Sequence, residues 1–226
     1  MSLEVNFRRC IFLICFLGIA LAGGAVVLAD KGEKGNDDND KGAPIRWDII
    51  HATFGAVLIV DAGGQASVMA EDHSKITFTG HGTFQTNSDK HHPQAVTGGG
   101  TWETFDHDNV STGSGTYKVT RFVSWENAPG SPIPGTIDNI GDGTLADNRG
   151  GLAVLSIFYS DGSQGILVVS CHLPGAGPPT TPHSVFEGVT ATKGFVDYWE
   201  PVAPVPAVDG NRTLFHLLQK SAKDDD

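Results

Sequence analysis

One short phrase occurs three times in the middle of the chain: Gly-x-Gly-Thr followed by an aromatic residue, at 80–84, 98–102 and 113–117. The first glycines of successive copies stand 18 and then 15 residues apart, which suits consecutive antiparallel strands. Around the first copy, Ile76, Phe78, Gly80, Gly82 and Phe84 fall on one face and Thr77, Thr79, His81, Thr83 and Gln85 on the other. That is the period of a half-buried strand. The second copy places Val96, Gly98, Gly100 and Trp102 on one face, and the third Gly113, Gly115, Tyr117, Val119, Arg121 and Val123. Glycine inside a strand leaves nothing to pack, so its repetition predicts sharp bending or close approach of bulky side chains. A phosphate loop is excluded, because such loops open a helix and carry a lysine, whereas each copy here leads into more strand.

The rest of the chain reads the same way. Residues 45–51, 54–60 and 65–70 are short β-rich runs with a turn signal at 61–64. Runs 151–159 and 164–172 are apolar on both faces and are joined by Ser160, Asp161, Gly162 and Ser163, a hairpin signal. Between them and the glycine phrases, 126–150 is rich in Gly, Pro, Asn and Asp and is too long for an ordinary connection, so it reads as a lid or a surface excursion. A Pro-rich loop at 174–182 leads to a long strand at 184–199, and 213–218 is a final strand or short helix. With no amphipathic helix of a dozen residues after the N-terminal run, the expectation is an all-β fold. Its form is a single antiparallel β-barrel, an up-and-down meander of about eight to ten strands, with a two-layer sandwich as the alternative.

At the N-terminus Arg8 and Arg9 precede an uncharged apolar run, 10–29, that ends in Val27 and Ala29. This is the grammar of a signal peptide over 1–29, and places the protein outside the cytoplasm, secreted or periplasmic. The membrane is a partner only if the run stays uncleaved, since it approaches the length of about 20 residues that spans a bilayer. Residues 30–44 follow as a flexible acidic linker, 45–219 as the β domain and 220–226 as a disordered tail. With 15 basic and 26 acidic residues the formal net charge is −11, which repels phosphate backbones and excludes nucleic acid as a partner. Cys10 and Cys15 leave with the signal peptide, so Cys171 stands alone in an apolar run, without an intramolecular disulfide.

Candidate chemistry is sparse. Arg121 shares its face with apolar neighbours, and Glu187, Lys193 and Asp197 alternate with Val189, Ala191 and Phe195 along 184–199. If those faces point inward, the four charges line a polar ligand-binding cavity, because buried charges must be paired. His81, His91 and His92 are the nearest thing to a metal site, but no fixed spacing supports one, and no cofactor is implied. Asn109-Val110-Ser111 and Asn211-Arg212-Thr213 are glycosylation sequons for a eukaryotic host.

Gly100-Thr101-Trp102 resembles the G-x-W of lipocalins, and the glycine-rich strands resemble secreted barrels of the dirigent and allene oxide cyclase type. Both likenesses concern architecture, and no family is assigned on them. Three readings follow. The first is an exported, non-catalytic barrel binding a small ligand or protein partner. The second is a barrel-cavity enzyme, an isomerase, cyclase or hydrolase, and the third a structural envelope or matrix protein. The absence of a nucleophile elbow or carboxylate pair leans away from an enzyme.

Overall fold

The computed structural model describes residues 43–86, 95–141, 144–174, 186–203 and 210–218. The run read as a signal peptide, nearly all of the stretch read as a linker, the 220–226 tail, His91 and His92 lie outside the described residues. In chain order the strands are β1 (Pro44–Phe54), β2 (Leu58–Ala62), β3 (Ala66–Met69), β4 (Lys75–Phe78), β5 (His81–Gln85), β6 (Val96–Phe105) and β7 (Ser111–Ala128). There follow β8 (Ile137–Asp138), β9 (Asn148–Tyr159), β10 (Gln164–Cys171), β11 (Gly188–Lys193), β12 (Val196–Tyr198), β13 (Glu200–Val202) and β14 (Arg212–Leu217).

The antiparallel barrel expected from the sequence is present. Six strands close on themselves in the order β9, β14, β1, β5, β6, β7 and back to β9, and the others lie outside this ring. Three barrel strands exchange one partner for another along an edge. β1 pairs with β5 through Asp48 and with β2 from Ile50 onward. β6 passes from β5 to β4, and β9 from β14 to β10. The first of the glycine phrases starts at one such point: Gly80, with φ of 153°, separates β4 from β5, while Gly98 and Gly99 have φ of 128° and 155° on the facing β6. These are left-handed backbone values that side chains resist, so the bend that lets one continuous strand serve two sheets requires glycine there.

All three phrases lie on adjacent strands with their glycines inward, and each receives an aromatic ring. Trp47 on β1 lies against Gly82 and Gly98: a Cβ on Gly82 would sit 2.8 Å from the indole nitrogen. Trp102 on β6 covers Gly115 on β7, and Tyr117 on β7 reaches Gly80, its hydroxyl donating to the carbonyl of Thr79 at 3.0 Å. A six-strand barrel is narrow, so large rings are accommodated only where the opposing strand has no side chain.

The interior is filled by two aromatic groups. Phe84 stacks on Phe122 at 4.8 Å between ring centres and touches Trp125 and Phe215, and Phe78, Tyr117, Tyr159 and Trp102 meet edge-on or tilted below. Such pairs contribute about 0.5–1.5 kcal/mol each beyond area burial. No helix among the described residues is long and apolar enough to cross a membrane.

Candidate ligand-binding site

Inward residues of β1 account for one of its faces, yet its other face is also buried. Ile50, Ala52, Val60 on β2 and Leu214 on β14 are each 5% exposed or less. They sit on the outside of the barrel, beneath the Pro- and Gly-rich segment 129–141, which crosses this surface as a strap.

Several short-range contacts hold the strap. Near its start Ser131 N–H donates to the carbonyl of Pro174 at 2.9 Å. Further on, β8 pairs in parallel with β2, and Asn139 donates from its backbone to Val60 and from its side chain to Asp61. The innermost anchor is Asp138. One of its carboxylate oxygens lies 2.7 Å from Nε2 of the fully buried His216 and 3.3 Å from Nδ2 of Asn148, and the other accepts the N–H of Ile140 at 3.0 Å. Burial pushes the Asp138 pKa up, but the bonds from His216, Ile140 and Asn148 outweigh it and hold the carboxyl below its ordinary value.

Between strap and barrel lies a cavity of about 220 Å³. Its walls are mainly apolar, from Ile50, Ala52, Leu58, Val60, Ile133 and Leu214, and its polar members include Asn148, Glu187, Arg212 and Thr213. Phe54 and Ile133, which also line it, are 58% and 39% exposed, giving the cavity an apolar rim. An apolar pocket with a few convergent polar groups is the usual form of a small-molecule site.

Glu187 is the electrostatic centre. It precedes β11, and its two carboxylate oxygens accept backbone N–H bonds from His172 at 2.5 Å and Thr213 at 2.8 Å, joining the end of β10 to β14. Burial pushes its pKa up to about 7, more than those bonds and the nearby Arg212 charge pull it down. The guanidinium of Arg212 lies 5.4 Å from the centre of the Phe54 ring. Cys171, also on the wall, is buried and its thiol pKa is pushed well up by burial.

The four charges singled out in the sequence are not brought together. Glu187 and Lys193 lie in phase with inward Val189 and Ala191, but at opposite ends of β11. Lys193 forms an ion pair with Asp161, donates to Ser163 at 3.0 Å and lies 4.3 Å from the Trp102 ring centre. Its hydrogen bond and that of Ser163 hold Asp161 down to about 2. Arg121 is exposed: the pairing of β7 with β9 shifts between Val119 and Arg121, a bulge that turns Phe122 inward and Arg121 and Val123 outward. Asp197 is exposed as well, since the chain turns back at Gly194, φ 59°, and makes two paired strands, β11 and β12, where one long strand was expected. His81 is exposed on β5, and no cluster of three metal-ligating side chains occurs among the described residues.

Asn148, Asp138 and His216 carry no signal in the sequence because their meeting depends on where the strap crosses, and Arg212 because it reaches Phe54 of a distant strand. The available signal was Ile50 and Ala52, apolar in the phase opposite to Ile45, Trp47 and Ile49, which announces a strand end covered on both sides. Comparison of the chain with protein-family models, with curated proteins and with solved structures finds no match.

Proposed function

We propose that the chain is an exported β-barrel protein that binds a small, mainly apolar ligand, without catalysis, in the cavity between strap and barrel. The observation that carries this reading is the volume of about 220 Å³ between strap and barrel, open at an apolar rim, with apolar walls and a few polar groups. The barrel interior is occupied by aromatic rings, so the space for a ligand lies outside it.

A catalytic reading draws on Glu187, whose pKa of about 7 suits a general acid or base. Both its oxygens are engaged by backbone donors, and Arg121, Lys193 and Asp197 lie elsewhere, which favours binding. The test is a screen of small apolar molecules by protein-observed NMR on the wild type and on Ala52→Phe, which fills the cavity from β1. Shifts at Ile50 and Leu214 that vanish in a folded Ala52→Phe support the reading. Binding that survives the substitution, or no binding by any compound, overturns it.

A further inference from the structure

The hairpin of β9 and β10 is apolar on both faces in sequence, and the barrel core uses one of them. Leu155, Ile157, Leu167 and Val169 point inward and are 2% exposed or less. The alternate residues, Leu152, Val154 and Phe158 on β9 with Ile166 and Val168 on β10, point away from the barrel and are only partly buried, Phe158 being 42% exposed. Val123, 44% exposed at the bulge of β7, extends this outer face. A solvated strand face is ordinarily polar, and a contiguous apolar patch on one marks an interaction surface. None of these residues lines the cavity under the strap.

Charge frames the patch. At one end Lys118 stands across from Phe158 and Arg121 from Ser156, and at the other Glu126 stands across from Leu152. All three charges are exposed, and none enters an ion pair among the described residues. Phe158 and Leu152 are six residues apart on one strand, so the ends lie about 20 Å apart and Lys118 cannot reach Glu126 within one copy.

We propose that the outer face of β7, β9 and β10 is the interface of a symmetric dimer of this chain. A two-fold axis lying in the face and running across the strands, between Arg121 and Ser124, sets Lys118 of each copy over Glu126 of the other. The same axis stacks Phe158 on Leu152 and Ile166 on Val168, so apolar meets apolar and each charge meets its opposite. The chain as a whole carries −11 and repels its own kind, but this face holds two cations and one anion, so the local field does not oppose approach. With β11 beside β10 the face measures about 20 Å along and 20 Å across the strands, roughly 400 Å² from each copy. That is the size of a weak, reversible contact.

The experiment is sedimentation velocity from about 10 µM to about 1 mM, the range in which a weak contact forms, on the wild type, Phe158→Ser, Lys118→Glu and Glu126→Lys. The wild type passes reversibly from monomer to dimer across this range, and Phe158→Ser stays monomeric. Lys118→Glu and Glu126→Lys each set like charges opposite one another and weaken association about tenfold. Mixed in equal amounts the two recover it, because each supplies the charge that the other lacks. Recovery on mixing also separates this face from association through the N-terminal apolar run, which charges on β7 would not govern. A wild type that is monomeric at the highest concentration, association that Phe158→Ser leaves intact, or charge variants that do not recover on mixing overturns the inference.

Discussion

Nε2 of His216 lies 2.7 Å from Oδ2 of Asp138, and through this contact the strap is fastened to β14. His216 is 1% exposed, so Asp138→Ala leaves a buried imidazole without its partner, and a loss of about 1–3 kcal/mol is expected. The Asp138 pKa is depressed in the fold, so its contribution is present above the ordinary carboxylate value and is lost as pH falls below about 4. Protection from hydrogen exchange at 131–141, taken relative to the intrinsic rate at each pH, falls in Asp138→Ala at neutral pH and in the wild type below about pH 4. Unchanged protection of the strap in both cases would show that the contact does not hold it.

Glu187 has the opposite sign. Its folded pKa is raised from 4.5 to about 7, so the folded state holds the proton more tightly than the unfolded chain, and stability falls as pH rises from about 4.5 to about 7. Discounted for partial exposure, the fall amounts to roughly 2 kcal/mol. Glu187→Gln flattens this slope. Denaturant midpoints for both proteins at pH 5 and pH 8 check it; parallel curves would refute the assignment.

A methyl group at Gly82 would lie 2.3 Å from the carbonyl oxygen of Thr97, 2.6 Å from Cα of Gly98 and 2.8 Å from Trp47. Gly82→Ala is therefore expected to cost about 2–4 kcal/mol, through displaced backbone and indole. Gly63, with φ of 85° and nothing within 4 Å of an added Cβ, is the control. Its change to alanine costs about 1 kcal/mol from backbone conformation alone. Equal losses at the two sites, measured by thermal unfolding, would remove the packing argument.

The two sequons are not equivalent. Asn109 is exposed beside Val110 at the tip of the β6–β7 connection, and only its Oδ1 is engaged, by Lys75 at 3.1 Å. Asn211 is a strut: Oδ1 accepts the N–H of Ser67 at 2.5 Å and Nδ2 donates to the carbonyl of Val202. Made in a eukaryotic secretory host, the protein should carry a glycan at Asn109 and none at Asn211. Peptide mass mapping after glycosidase treatment reads this directly, and occupancy at Asn211 would contradict it.

What could be read from sequence followed local periodicity. Alternation at 75–86 made β4 and β5 legible, and Ser160 to Ser163 did turn the hairpin of β9 and β10. Where one residue breaks the count, the reading slipped. The bulge after Val119 reversed the phase of Arg121 and Val123, and the turn at Gly194 separated Asp197 from Lys193. Of the residues at the cavity, Glu187 was accessible because it alternates with Val189 and Ala191. Asn148 and Asp138 carried no local pattern, because their role arises only when 129–141 is laid across strands far away in sequence.

The strap meets the barrel on its outer wall, and its contacts with β1, β2 and β14 do not enter the ring of aromatic packing. Folding and the proposed recognition thus fall to separate parts of the molecule. Residues 131–136 can be lengthened, shortened or exchanged to suit a different guest while the closed ring keeps its own ledger of contacts, which makes this surface a natural starting point for redesign of specificity.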